Sequence, residues 1–211
     1  MKTIIYITRH GQTLWNTEKR MQGWKDSPLT ETGLEQAKAL RKRLNHINID
    51  IIYSSPIGRA FKTAEIIKAG RDIPIFVDNR IKELNMGIWE GMNQEEIKEL
   101  YDKELYYFWN EPHKYKPYGG ETFYQVRDRV GDFIDEILKN NLGKSILVVT
   151  HTIALKSIMS CLKSIPMENF WEPPYIHPTS LTKIEVESKN IKVVLNADAS
   201  HLEDVKEITA V

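Results

Sequence analysis

Two hydrophobic periods alternate along this chain. Residues 3–8 (Thr-Ile-Ile-Tyr-Ile-Thr) and 145–150 (Ser-Ile-Leu-Val-Val-Thr) are short β-branched runs. Uninterrupted apolar runs of this length predict strands buried on both faces. Residues 50–53 and 73–77 read as two more strands. Between them the spacing turns helical: Leu34, Ala37, Leu40 and Leu44 line one face of a segment over 29–44. Thr30 or Thr32 is its predicted cap, Thr32 standing three residues before Glu35 as in a capping box. Ser54-Ser55-Pro56 predicts the start of a helix to Lys68, with a serine cap and a proline in its first turn. Helices are also predicted over 94–101, 122–140 and 153–162. The second of these carries Phe123, Val126, Val130, Phe133, Ile137 and Leu138 at core spacing. Residues 181–186 and 191–195, joined by the polar Glu187-Ser188-Lys189-Asn190, read as a hairpin.

Strands alternating with helices predict an α/β fold. The expected architecture is a three-layer sandwich with a mostly parallel central sheet, helices on both faces and an antiparallel C-terminal edge hairpin. One domain over residues 1–202 is expected, with 203–211 as a tail that has little to pack.

Composition narrows the class. The 211 residues carry 29 Lys+Arg against 29 Asp+Glu, a balance that excludes a general nucleic-acid binder. A lone Cys161 makes no internal disulfide. No apolar run approaches the ~20 residues of a membrane span, and the first strand is too short for a signal peptide. A cytoplasmic domain with no membrane or nucleic-acid partner is expected. Neither a dinucleotide glycine fingerprint nor a Walker loop is present. The histidines stand in separate blocks, so no metal and no cofactor are expected.

Ligands of open α/β sheets bind beyond the carboxyl ends of the strands. Three predicted strands end on residues suited to a phosphate. The first ends on Arg9-His10-Gly11, the second leads through Ser54-Ser55-Pro56 to Arg59, and the third ends on Thr150-His151. Neighbouring strands would bring two arginines and two histidines to one mouth. A guanidinium fork matches phosphate oxygens, and an imidazole attacks phosphorus or donates a proton. Each residue alone is as readily a structural histidine or a solvated arginine, and spacing leaves both readings open. His46, His113, His177 and His201 are read as structural.

Longer blocks decide further. Arg9-His10-Gly11-Gln12-Thr13 with Asn16 opens the series. Gln22-Gly23-Trp24 with Asp26, Pro28-Leu29-Thr30 and Gly33 follows. Then come Tyr53-Ser54-Ser55-Pro56 with Arg59-Ala60 and Thr63-Ala64, and Glu83-Leu84 with Gly87, Trp89, Glu90 and Gly91. Gly119-Gly120-Glu121, Val148-Val149-Thr150-His151 and Ala199-Ser200-His201-Leu202 complete the order. In these blocks the chain resembles the histidine phosphatase superfamily, the phosphoglycerate-mutase-like proteins, and within it the broad-specificity phosphatase branch.

The resemblance implies a phosphatase of small-molecule phosphomonoesters. His10 would be the nucleophile, forming a phosphohistidine. Arg9, Arg59 and His151 would hold the phosphoryl oxygens, with His151 protonated and His10 neutral. Glu83 would be the general acid and base. Asn16, Gln22, Gly23 and Thr152 would border the substrate. Thr152 and Lys156 depart from the glycine and arginine usual in the family. Two other activities remain open: a phosphoglycerate mutase, and a non-catalytic phosphate-binding module. The connection over 92–118 is short for a mutase cover, which favours hydrolysis. It is crowded with Tyr101, Tyr106, Tyr107, Phe108, Trp109, Tyr115 and Tyr118. These aromatics read either as a packed lid or as a wall around the organic half of the substrate. Oligomeric state is not legible.

Overall fold

The computed structural model describes residues 1–188 and 190–202. Its strands are β1 (Lys2–Arg9), β2 (Ile51–Ser54), β3 (Ile75–Val77), β4 (Ser145–Thr150), β5 (Leu181–Glu187) and β6 (Asn190–Asp198). The helices are α1 (Leu14–Thr17), α2 (Glu31–Arg43), α3 (Gly58–Lys68), α4 (Gln94–Asn110), α5 (Phe123–Asn140) and α6 (Thr152–Lys163).

One six-stranded sheet runs in the order β3-β2-β4-β1-β5-β6. The four strands β3, β2, β4 and β1 are parallel, and β5 and β6 pair antiparallel at the far edge. Alternate side chains of the central strands feed two cores. Ile5, Ile7, Ile146 and Val148 join Val126, Phe133 and Ile158 on one face. Tyr6, Leu147 and Val149 join Leu40, Ala60 and Ile67 on the other. Each fully buried side chain of this size contributes about 1.5–3 kcal/mol, so both faces need their helical cover. The result is the three-layer sandwich expected.

Register matters most for function. Arg9 lies opposite Thr150, and Ser54 opposite Val149, so β1, β2 and β4 end level. The loop after β1 is then pinned backbone-on-backbone to α2. A Cβ on Gly33 would stand 2.0 Å from the Gln12 carbonyl oxygen, and one on Gly11 2.5 Å from that of Gly33.

Several boundaries differ from expectation. Thr30 caps α2, accepting the Gly33 N–H at 3.0 Å, while Thr32 lies inside the first turn. The N-cap of α3 is Ile57, which has no side-chain cap bond; Ser55 is engaged elsewhere. α4 continues to Asn110 through a kink at Tyr101 (φ −142°, ψ 40°). The helical period breaks there and resumes with buried Leu105 and Phe108. α1, capped by Thr13 and Asn16, is too short for a periodic signal. The expected hairpin is β5–β6, but Lys189 in its turn and the predicted tail at 203–211 lie outside the described residues.

Candidate active site

His10 follows β1, its N–H donating to the Thr150 carbonyl at 2.9 Å. Its Nδ1 stands 2.7 Å from the Gly11 carbonyl oxygen. A carbonyl only accepts, so Nδ1 carries the proton and Nε2 keeps its lone pair. The Nε–H of Arg59 donates to that lone pair at 3.2 Å. Burial, then Arg59 and Arg9, push the His10 pKa well below the ordinary 6.5, against the bond to Gly11. The ring is therefore neutral, in the form that attacks electrophiles.

Arg59 enters from the first turn of α3, its side chain 1% exposed. Its Nη2 donates to the Gly23 carbonyl at 2.8 Å, and its Nη1 to the Lys25 carbonyl at 2.7 Å and Asp26 Oδ1 at 3.3 Å. The backbone of the 23–26 loop thus orients the fork. Gly23 sits at φ +55°, and a Cβ there would stand 2.2 Å from Glu90 Oε1. Glu90 in turn accepts the Trp24 N–H at 2.8 Å and the Lys25 N–H at 3.1 Å.

Arg9 divides its donors. Nη1 donates to the Ile176 carbonyl at 2.9 Å, while Nε is buried with no hydrogen-bond partner. An unmet buried donor is costly unless a ligand oxygen meets it.

His151 ends β4 and precedes α6. Its Nε2 stands 2.8 Å from Ser55 Oγ, and its Nδ1 is buried without a partner. The two imidazole centroids lie 5.2 Å apart. Burial, then Arg59, His10 and Arg9, push the His151 pKa well below 6.5 as well. The contrasting environments expected of the two rings are therefore not seen. The same burial and the same arginines lower both rings, and the rings differ in partners instead: a carbonyl for one, a serine hydroxyl for the other. A phosphoryl anion between them would raise both.

Glu83 reaches the site from the loop before α4. Its Oε1 accepts the N–H groups of Leu84 (2.9 Å), Ile153 (3.1 Å) and Ala154 (3.3 Å), and its Oε2 that of Ile153 (3.2 Å). The N-cap of α6, His151, makes no side-chain cap bond, so Glu83 caps that helix from across the site.

These groups open onto a cleft of about 430 Å³. Arg9, His10, Arg59 and Glu83 line it, with Asn16, Gln22, Gly23 and Thr152. Asn16 Oδ1 is committed to Thr13 N and Oγ1, at 3.1 and 3.0 Å, so Asn16 offers the cleft its amide donors. Gln22 Oε1 is buried and unpartnered. His151, fully buried, is the one predicted site residue off the lining; it joins through His10 and Ser55.

The lid divides between the two readings. Only Phe108 and Trp109 of its aromatics line the cleft. Tyr101 stacks on Trp89 and Tyr118, and Tyr115 packs on Phe108 and Phe123. The lining continues with Trp15, the cations Lys19 and Arg20, Gln94, and a segment whose place is not legible in the sequence, with Trp171, Pro173, Pro174, Tyr175 and Ile176. Trp171 Nε1 donates to the Phe108 carbonyl at 2.6 Å, and its ring lies 4.9 Å from Trp109. The available signal was an aromatic and proline cluster outside any apolar period. Lys156 also lines the cleft, its Nζ donating to the Glu172 carbonyl at 2.7 Å.

Among the described residues no group of three or more His, Cys, Asp or Glu stands together to hold a metal ion, and no helix is long and apolar enough to cross a membrane.

Comparison with known proteins agrees with this geometry. Residues 5–199 match the family model of the histidine phosphatase superfamily (branch 1). The structure superposes on Bacillus stearothermophilus YhfR with a TM-score of 0.93 and 44% identity, over 95% of this chain and 100% of that one. Phosphoserine phosphatase 1 of Hydrogenobacter thermophilus is 34% identical over 79% of each chain. Probable phosphoglycerate mutase GpmB of Escherichia coli O1:K1 is 35% identical over 77% of this chain and 75% of its own.

Proposed function

The chain belongs to branch 1 of the histidine phosphatase superfamily, and from that premise we propose a phosphatase that hydrolyses small phosphomonoesters in two steps on His10. His10 Nε2 attacks phosphorus, the P–O ester bond breaks, and Glu83 delivers its proton to the departing oxygen. Water then attacks the phosphohistidine, Glu83 takes a proton from it, the P–N bond breaks, and inorganic phosphate leaves. Splitting one displacement into two lowers each barrier. Arg9, Arg59 and His151 hold the phosphoryl oxygens and offset charge in the transition state. Asn16, Gln22, Gly23 and Thr152 border the ester.

The observation that carries this reading is the His10 lone pair, fixed by the Nδ1 bond to Gly11 and facing Arg59 at 3.2 Å. When phosphate binds, Arg59 Nε turns its hydrogen bond from the ring to a phosphoryl oxygen. That donor stands on the lone pair that must reach phosphorus, so the guanidinium shifts off the ring as the phosphoryl group enters.

Hydrolysis is favoured over mutase chemistry by the short 92–118 connection, most of it one helix, which leaves the cleft open to water. The aromatic mouth suits an apolar organic group better than a bare sugar acid. The enzyme is proposed to be metal-independent and cytoplasmic, one catalytic domain over residues 1–202. Phosphate release from a panel of phosphomonoesters, assayed with excess EDTA, tests the assignment. Unchanged rates with EDTA are expected; loss of turnover restored by a divalent cation would overturn the metal-free mechanism.

A further inference from the structure

A carboxylate that moves a proton is only as well placed as the loop that carries it. In the loop bearing Glu83, Ile81 O accepts from Thr150 Oγ1 at 2.6 Å, while the carbonyls of Arg80, Lys82 and Glu83 turn toward α5. Arg129 on α5 meets all three. Its Nη1 donates to Arg80 O at 2.6 Å and Lys82 O at 2.8 Å, and its Nη2 to Glu83 O at 2.9 Å. The guanidinium is itself oriented by Glu121, whose two carboxylate oxygens accept Nε at 2.8 Å and Nη2 at 2.9 Å.

Glu121 reaches the same loop directly. Its Oε2 accepts the Asn85 N–H at 2.8 Å, and its own N–H donates to the Asn85 carbonyl at 2.8 Å. The two backbones are in contact there, since a Cβ on Gly120 would stand 2.2 Å from Asn85 O. Neither Arg129 nor Glu121 lines the cleft, so neither has a route to substrate.

We propose that Arg129, oriented by Glu121, is the residue that positions Glu83 for proton transfer to the leaving group. This rests on Glu83 being the leaving-group acid. The Glu83 carboxylate is held on the first turn of α6, and the Glu83 carbonyl is held by Arg129 and by Trp24 Nε1 at 2.8 Å. With both ends fixed, the side chain has one reach. Loss of the Arg129 fork frees the Arg80 and Lys82 carbonyls and leaves Trp24 alone on that of Glu83, so the loop shifts and the carboxylate shifts with it along the first turn of α6. Lysine does not replace this: one ammonium lacks the planar fork that meets carbonyls on one side and a carboxylate on the other.

The test is single-turnover phosphorylation of His10 by an alkyl phosphate and by p-nitrophenyl phosphate, in Arg129→Lys, Glu83→Gln and the double variant. An alkoxide needs the proton and p-nitrophenolate hardly does. A misplacement of about 1 Å is expected to slow the alkyl ester about 10- to 100-fold, with the aryl ester and vanadate affinity changed less than about 3-fold. On a Glu83→Gln background Arg129→Lys should add nothing, because the group it positions is gone. Glu121→Gln, which can still accept from Asn85, should repeat the pattern at smaller size. Equal slowing of both esters with weakened vanadate binding, or a full Arg129→Lys loss on top of Glu83→Gln, would overturn the proposal and leave Arg129 a fold residue. Glu83→Gln that slows both esters alike would instead remove the acid assignment, and the positioning role with it.

Discussion

The inner end of the cleft and its mouth are built on opposite principles. At the inner end, the nucleophile, both arginines and the carboxylate are held by backbone, and His151 by the Ser55 hydroxyl. His10 is held by Gly11, Arg59 by Gly23 and Lys25, Glu83 by the first turn of α6, and Arg9 by Ile176. The level ends of three parallel strands set their spacing. At the mouth, the last turn of α4 and the segment around Trp171 meet through stacked rings and one indole N–H bond. The first arrangement fixes charge to within a hydrogen-bond length, as phosphoryl transfer requires. The second presents apolar rings, with Lys19, Arg20 and Lys156 on the same lining. Chemistry and choice of alcohol are therefore separable, and substitutions in the two regions should behave differently in kind.

The largest effect is expected from Arg59→Ala. It removes a transition-state donor and should lower kcat/KM by about 10²- to 10³-fold, by the same factor for every ester. A loss confined to bulky esters would place Arg59 in specificity and erase the division between the regions.

Acid should weaken the fold through its buried histidines, the pair at the inner end among them. The His10 and His151 pKa values lie below the ordinary 6.5 in the folded state. Below about pH 6.5 the unfolded chain takes up protons that the folded chain refuses, so stability is full above that pH and falls as pH drops. The slope is up to about 1.4 kcal/mol per pH unit for each ring. Urea unfolding at pH 7.5 and 5.5 should show the loss, and His151→Asn should shallow it. A slope unchanged by His151→Asn would mean that His151 is not held neutral.

At the mouth, Trp171→Ala should lower kcat/KM for naphthyl phosphate about 10-fold relative to glycerol phosphate, the scale of one lost apolar contact in a specificity pocket. A uniform loss on both esters that tracks a lower Tm would make Trp171 core packing. Trp109→Ala should act in the same direction. The smallest effect is expected from Tyr107→Ala. Tyr107 lies off the cleft, so the ratio of the two esters should stay within about 2-fold. A large change in that ratio would extend the mouth beyond the residues assigned to it.

The same division explains what the sequence made legible. The strands that end on Arg9-His10 and Thr150-His151 are short apolar runs with a polar stop, so the elements could be read in one dimension, while the roles of these residues came from the resemblance of their blocks. That these strands are neighbours with level ends stood only as a condition along the chain, and the sheet order and register supply it. Glu83 could not be read from periodicity, because it stands in a loop beside 3-10 turns, and only its block made it a candidate. That burial and the same arginines lower both rings could not be read along the chain, because these are three-dimensional facts. Trp171 and Tyr175 were missed because they belong to no period. Their position depends on Lys156 and Phe108 drawing that segment over the cleft. Ser55 was assigned to a helix cap, and its pairing with His151 from the neighbouring strand could not be seen along the chain.

The central claim is a covalent phosphoryl group on His10 Nε2. It is tested most directly by rapid quench of the enzyme with a phosphomonoester, followed by peptide mapping by mass spectrometry under alkaline conditions. An acid-labile, base-stable phosphoryl group on the peptide containing His10 is expected, formed faster than steady-state turnover and absent in His10→Ala along with phosphate release. Phosphate release that continues in His10→Ala, or a phosphoryl group mapped to any other residue, would contradict the account.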